Sequence, residues 1–182
     1  MRMKMDYIDN LMSKETKPLT HERFITLIHN MDLDTLANRL LSGRADEEEK
    51  RKAPAVMWQA SYEGNVRQSN CAIPNGLFAL DVDNLKEEPD EVWRERIEKR
   101  VEELEIVLCH KSIGGHGLHI VALCQENFCT IAENQAWLAS QLELPYDEKC
   151  KDWARCWILV PHRYIYYLNP EIFDDWKDCT NH

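Results

Sequence analysis

The sequence predicts an α+β fold whose core follows the order β-α-β-β-α-β, preceded by a smaller αβ unit. Three observations carry this expectation. Apolar runs of strand length occur at 77–83, 106–110, 118–123 and 156–160, with helical patterns at 89–105 and 131–144 between them. The strongest turn signal, Gly114-Gly115-His116-Gly117, falls between two of those runs and not inside one. A chain of 182 residues, 44% hydrophobic and 30% charged, is long enough for one packed core with an appendage.

The elements follow in order. Residues 1–19 are polar and read as a loose lead-in or short helix. From Thr20, Phe24, Ile25, Leu27, Ile28 and Met31 keep a helical period. Leu33, Leu36, Leu40 and Leu41 continue a second helix, with Gly43 as its stop. Residues 44–52 form a charged, solvated segment, a linker or a helix turn. Ala55–Tyr62 reads as a strand ended by Glu63-Gly64-Asn65. Residues 20–76 thus make an N-terminal αβ unit and 77–182 the core. Within the core, Val92, Trp93, Ile97, Val101 and Leu104 share one helix face, and Thr130-Ile131-Ala132-Glu133 is a capping box opening the second helix.

The β-α-β-β-α-β order is the ferredoxin-like split βαβ, also used by RNA-recognition domains. Its sheet order would be 4-1-3-2, with strands 1 and 3 central and right-handed crossovers. The end of strand 1 then lies beside the starts of strands 3 and 4.

Composition excludes some classes. No run of about 18 apolar residues exists, so no membrane span is expected, and the N-terminus has no apolar signal core. Seven scattered cysteines without a Cys-x-x-Cys pair read as reduced thiols in a cytoplasmic protein, and structural zinc is disfavoured. The net charge is −10. Residues 1–70 carry 11 basic and 11 acidic side chains, and residues 71–182 carry 11 against 21. That balance argues against a broad grip on duplex DNA, which needs many phosphate-neutralising cations. Weak, metal-assisted association with a single-stranded template remains open to it.

Candidate chemistry gathers at the expected strand ends. Asp81 and Asp83 are two apart, so both project from one face while Phe78, Leu80 and Val82 project from the other. Paired carboxylates repel, and a divalent cation such as Mg²⁺ or Mn²⁺ resolves the conflict; a merely solvated strand end is the plainer explanation. His119 follows a glycine turn, Gly114, Gly115 and Gly117, whose backbone N–H groups can approach phosphate oxygens. Lys111 and Ser112 could add a cation and a hydroxyl to the same phosphates. Asp147, Asp152 and Arg155 lie in the loop entering the fourth strand, where either carboxylate could be a third metal ligand and the arginine a phosphate contact. Trp153 and Trp157 read as core residues.

Leu80-Asp81-Val82-Asp83, then Ser112-x-Gly-Gly-x-Gly-x-His119, then Tyr146-Asp147, resemble the three motifs of the archaeo-eukaryotic primase superfamily. The nearest likeness is to the primase-like N-terminal domain associated with virulence-associated protein E of mobile elements. It runs from about Ala53 to Asn169-Pro170. The chain departs from that pattern at Val160-Pro161-His162, where those relatives often carry Ser-x-Asp, and it has no zinc-binding insertion. The resemblance implies an RNA-recognition-like sheet whose open face is covered by the N-terminal unit. It implies that Asp81, Asp83 and Asp147 hold two Mg²⁺ or Mn²⁺ ions, that His119 contacts the phosphates of the incoming nucleotide, and that Arg155 lies nearby. The implied activity is two-metal nucleotidyl transfer from a nucleoside triphosphate to a 3′-hydroxyl on a single-stranded DNA template, in mobile-element replication beside a helicase or other replication protein. The competing readings are a catalytically silent module that binds single-stranded DNA or a replication partner, and a metal-dependent phosphatase or nuclease.

Overall fold

The computed structural model describes residues 3–148, 150–173 and 175. Its N-terminal stretch is built into the fold, in contrast to the loose lead-in expected for 1–19. Strand β1 (Asp6–Ile8) is fully buried and pairs antiparallel with β2 (Lys17–Pro18). Asp6 disguised it by giving the run a polar reading. Its carboxylate accepts hydrogen bonds from Thr16 Oγ1 at 2.9 Å and the Tyr62 backbone N–H at 3.0 Å, which satisfies a buried charge.

Helix α1 (His21–Ile28) is capped by Thr20, and α2 (Met31–Leu41) by Asn30. Gly43, at φ +68°, carries the chain out of α2. The charged segment holds one helical turn, α3 (Glu47–Lys50), capped by Asp46. The single strand expected over 55–62 is two: β3 (Ala55–Met57) joins β1, and β4 (Ala60–Tyr62) pairs with β5 (Ala72–Pro74).

The core elements fall close to their expected positions. Strand β6 (Leu77–Val82) leads to α4 (Pro89–Val92), which continues through a π-helical turn (Trp93–Ile97) and a 3-10 turn (Glu98–Arg100). Strands β7 (Ile106–Lys111) and β8 (Leu118–Leu123) form a hairpin. Helix α5 (Ile131–Leu142) opens on the expected Thr130/Glu133 capping box. Two short strands follow, β9 (Trp157–Ile158) and β10 (Ile165–Leu168). The expected core boundary at residue 182 and Cys179 lie outside the described residues. The six described cysteines are free, and among the described residues no helix is long and apolar enough to cross a membrane.

The sheet order differs from 4-1-3-2. The core sheet runs β10-β7-β8-β6, so the first core strand lies at an edge. The strand expected as the fourth, β9, pairs instead with β3 and completes a second sheet, β2-β1-β3-β9. Strands β6 and β7 are each antiparallel to the β8 between them, hence parallel to one another.

The outer edge of β6 explains why no strand is needed there. Ala79 N–H donates to Gln59 Oε1 at 3.0 Å, and Gln135 Nε2 donates to Ala79 C=O at 2.8 Å. Asp147 N–H donates to Asp81 C=O at 2.9 Å. Side-chain amides and a loop thus replace the ladder of a neighbouring strand, and backbone groups that cannot reach water are satisfied. The far edge is taken by Ile165-Tyr166-Tyr167-Leu168, a β-branched and aromatic run on β7.

Side chains alternate across the sheet as the sequence predicts. Phe78, Leu80 and Val82 pack on the helix side with Val92, Ile97 and Leu138. Leu77 and Ala79 face the N-terminal unit, in a layer with Phe24, Val56 and Trp58.

Gln135 Nε2 also donates to Cys150 C=O at 2.9 Å, so one amide ties the 146–155 loop to β6. Gln135→Leu should strand two buried carbonyls and lower stability by about 2 kcal/mol in urea unfolding. An unchanged midpoint would show that the β6 edge is held some other way.

Candidate functional site

Three side chains line up across the sheet at the open end of β6. The register places Asp81 opposite His119, and His119 opposite His110. The hairpin closes with Ser112 N–H donating to Gly117 C=O at 2.8 Å, which fixes that register. Asp81 is 8% exposed, His119 9% and His110 2%. His119 Nε2 lies 3.3 Å from Asp81 Oδ1. Asp81 Oδ1 accepts no hydrogen bond, and the other ring nitrogen, His119 Nδ1, is likewise buried without a hydrogen-bond partner. The rings of His110 and His119 meet edge to face, 5.0 Å apart.

The loop after α5 brings the other groups. Its Asp147 peptide bonds to Asp81, and Cys150 N–H turns back to Asp147 C=O at 3.2 Å. The Cys150 thiol sits 3.4 Å from Asp81 Oδ2 and 3.5 Å from Asp147 Oδ2. Asp81, Asp147 and Cys150 each offer a ligand atom, all within 4.8 Å of one another. Arg155 Nη2 stands 3.7 Å from Asp81 Oδ2.

These residues border a polar cleft of about 720 Å³, lined among others by Asp81, Asp83, His119, Asp152 and Arg155. Glu47, Lys50, Arg51 and Arg67 from the N-terminal unit form a facing wall. Asp83 lies at its exposed rim, outside the Asp81–Asp147–Cys150 group. Asp152 faces the cleft too, but its carboxylate is engaged by Ser69 Oγ and Ala154 N–H, and Asp147, not Asp152, adjoins Asp81.

The glycine turn divides by position. A Cβ on Gly117 would stand 2.7 Å from Val82 C=O and 3.1 Å from Asp83 Oδ1, so only glycine lets the turn press against the end of β6. Gly115, at φ +82°, sits against Leu41 and Tyr164. A Cβ on Gly114 would meet nothing within 4 Å. Ser112 Oγ accepts from Gly117 N–H at 3.1 Å, so the hydroxyl shapes the turn while lining the cleft. Lys111 departs from expectation. One residue past His110, it shares the helix side of the sheet. Its ammonium bonds Asp90 Oδ2 at 2.7 Å beneath Tyr164 and Tyr166, away from the cleft.

Electrostatics follow from the packing. Burial would raise the Asp81 pKa, but the His119 imidazole, the Cys150 thiol and Arg155 outweigh it and bring the carboxyl down to about 2. Asp83 is pushed up by burial and by Asp81. Burial and the two neighbouring carboxylates hold the Cys150 thiol in its protonated form. His110 is lowered to about 3, first by burial and then by His119, against the opposing bond from its Nδ1–H to Lys111 C=O at 2.7 Å.

Cys150, His110, Lys50, Arg51 and Arg67 escaped the sequence reading. Two had signals. Asp147-x-x-Cys150 spaces two ligands within one turn, and a hairpin closing at 112 and 117 must set residue 110 opposite 119. The cations of the facing wall had none, because their place depends on how the N-terminal unit docks.

Residues 48–167 match the family described as BT4734-like, N-terminal domain. The matched stretch contains every cleft residue except Leu11 and Glu47. No curated protein and no solved structure shows a significant match to the chain.

Gly117→Ala should cost about 1–3 kcal/mol of stability, because the clash is with backbone, whereas Gly114→Ala should be near neutral. Equal thermal midpoints for the two variants would contradict the close approach. His110 gives a pH signature. Its native pKa lies below the unfolded value of about 6.5, so the unfolded chain binds the proton first. Stability is therefore full above about pH 6.5 and falls as pH drops toward 3, by up to about tenfold in the folding constant per pH unit. His110→Gln should remove that slope, measured as urea unfolding between pH 7 and 4.

Proposed function

We propose that this chain, which belongs to the BT4734-like N-terminal domain family, is a metal-dependent nucleotidyltransferase of the primase–polymerase type. The observation that carries the reading is the meeting of Asp81, Asp83, His119 and Arg155 in one cleft, with Asp147 against Asp81. A nucleoside triphosphate has the chemistry to complement such a cleft: an anion large enough to span it, met by cations and glycine backbone.

The donor set fits a divalent ion. Asp81 is a buried carboxylate held ionised, and Asp81 and Asp147 both stand close enough to Asp83 to act on it electrostatically. Asp81, Asp83 and Asp147 would hold Mg²⁺ or Mn²⁺, which when bound supplies activation of a 3′-hydroxyl and neutralisation of the triphosphate. His119, its ring held against Asp81 and His110 at the cleft wall, would contact the phosphates of the incoming nucleotide. Arg155, exposed at the rim, offers a bidentate fork to the same anion. Lys50, Arg51 and Arg67 face the acidic cluster and suit a nucleic-acid backbone or the outer phosphates. The template strand would carry the sequence information. Replication of a mobile element, in company with a helicase, is the setting in which such an activity is used.

Labelled-nucleotide incorporation on single-stranded DNA, with and without primer and with Mg²⁺ or Mn²⁺, tests this. Asp81→Asn and Asp147→Asn should each reduce incorporation by about 100-fold or more, while His119→Ala should weaken nucleotide affinity more than the metal requirement. Lys111→Ala should leave nucleotide affinity unchanged. A wild-type chain that incorporates nothing with either ion, yet holds single-stranded DNA, is the silent binding module instead.

A further inference from the structure

Leu11 lines the cleft, and from it the chain runs outward through a tight turn over residues 10–14. Met12 N–H donates to Asn10 Oδ1 at 3.0 Å, and Ser13 N–H to Asn10 C=O at 3.1 Å. Both flanks of the turn are pinned to the cationic wall. Leu11 N–H donates to Arg51 C=O at 2.9 Å, the Arg67 guanidinium to Leu11 C=O at 3.0 Å, and Arg67 N–H to Lys14 C=O at 2.8 Å. At the tip of this braced turn Met12 stands 68% exposed. An exposed methionine alone is ordinary. This one sits among cations that no carboxylate neutralises. Among the described residues no ion pair engages Lys14, Arg51 or Arg67, in a chain whose net charge is −10.

We propose that the 10–14 turn carries single-stranded nucleic acid out of the cleft, with Lys14, Arg51 and Arg67 on its phosphates and the Met12 thioether against an unstacked base. The combination of cations and an apolar tip is what selects this occupant. Cations alone would suit any anion, but a polarizable, flexible thioether gains from the face of an aromatic ring. Three cations are too few to hold duplex DNA against a net negative chain, and the bases of a duplex are stacked on one another and closed to Met12. An acidic peptide would meet the same charges and leave Met12 unused. The track is continuous with the cleft through Leu11, so a strand whose end lies at Asp81 and His119 reaches Met12 without leaving the cationic wall. The inference rests on the nucleotidyl-transfer reading of the cleft for its occupant. Strand binding is measured without metal or nucleoside triphosphate, so its failure is distinct from a failure of incorporation.

The test is fluorescence anisotropy of the purified full chain with a labelled thymidine 20-mer, in EDTA, over a series of salt concentrations. Lys14→Gln and Arg51→Gln should each flatten the plot of log Kd against log salt by about 0.7, the share of one single-strand phosphate. Met12→Ala should weaken binding by about tenfold at every salt concentration and leave the slope alone. An abasic strand of the same length should bind the parent about tenfold more weakly, and should bind Met12→Ala and the parent equally. Lys99→Gln, exposed on the helix side of the core, is the control and should change nothing. Arg67 is left intact because it also braces the turn. Circular dichroism confirms that each variant is folded. Four results would overturn the proposal: no binding of the 20-mer by the parent, slopes unchanged in the Lys14 and Arg51 variants, a Met12→Ala chain that binds as the parent does, or displacement of the strand by an equal charge of polyglutamate, which would mark an acidic-peptide site.

Discussion

The site depends on one constraint: the outer edge of β6 must find hydrogen-bond partners although no strand lies beside it. A buried peptide group without a partner costs roughly 1–3 kcal/mol, so an open edge inside the molecule would not survive. The fold closes it with Gln59 and Gln135 on Ala79 and with the Asp147 peptide on Asp81. Each of these partners also holds the 146–155 loop: Gln59 reaches Asp152 C=O and Gln135 reaches Cys150 C=O. Satisfying a backbone edge and assembling a donor cluster are therefore one operation. A regular fourth strand on β6 would have needed that same edge, and the loop could not then have laid Asp147 and Cys150 against Asp81.

The same arrangement brings basic side chains to the cleft of an acidic chain. The charge-balanced part of the sequence, residues 1–70, contributes Lys50, Arg51 and Arg67, and the acidic part contributes the carboxylates. The cleft is the seam between the two. Lys50 acts on Asp83 across it, and Arg155 approaches Asp81 from the loop. Local field, not net charge, decides what such a cleft attracts, and a bound cation would tip it further toward phosphates.

Much of this was legible in the sequence, and the limits have physical causes. Strands β6, β7 and β8, both core helices and the capping box follow from local periodicity and cap chemistry, which do not depend on distant partners. The side on which Asp81 and His119 lie follows from strand parity. Parity also decided Lys111: one residue beyond His110, it had to face the helices and meet Asp90. What failed was pairing. A two-residue strand such as Trp157–Ile158 carries no mark of which edge it will join, and Ala55 and Val56 offered one where β6 did not. Strand β1 was hidden because a buried, fully bonded Asp6 is indistinguishable in sequence from an exposed one.

The pairing that failed is also what ties the two halves of the chain together. Strand β9 leaves the core sheet to complete the sheet of β1 and β3, and the residues just before it, Asp152 to Cys156, are the ones that enter the cleft. Their position is thus fixed at one end by β6 and at the other by the N-terminal sheet. Arg67 adds a third tie by donating to Cys156 at 2.9 Å and to Leu11 C=O at 3.0 Å. A boundary drawn at residue 76 separates sequence patterns but cuts through the cleft. The cations on one wall and the carboxylates on the other keep their spacing only while β9 remains in the N-terminal sheet. The unit that could bind an anion is consequently the whole packed body, in which the second sheet acts as the hinge plate for the loop that carries Asp147, Cys150 and Arg155.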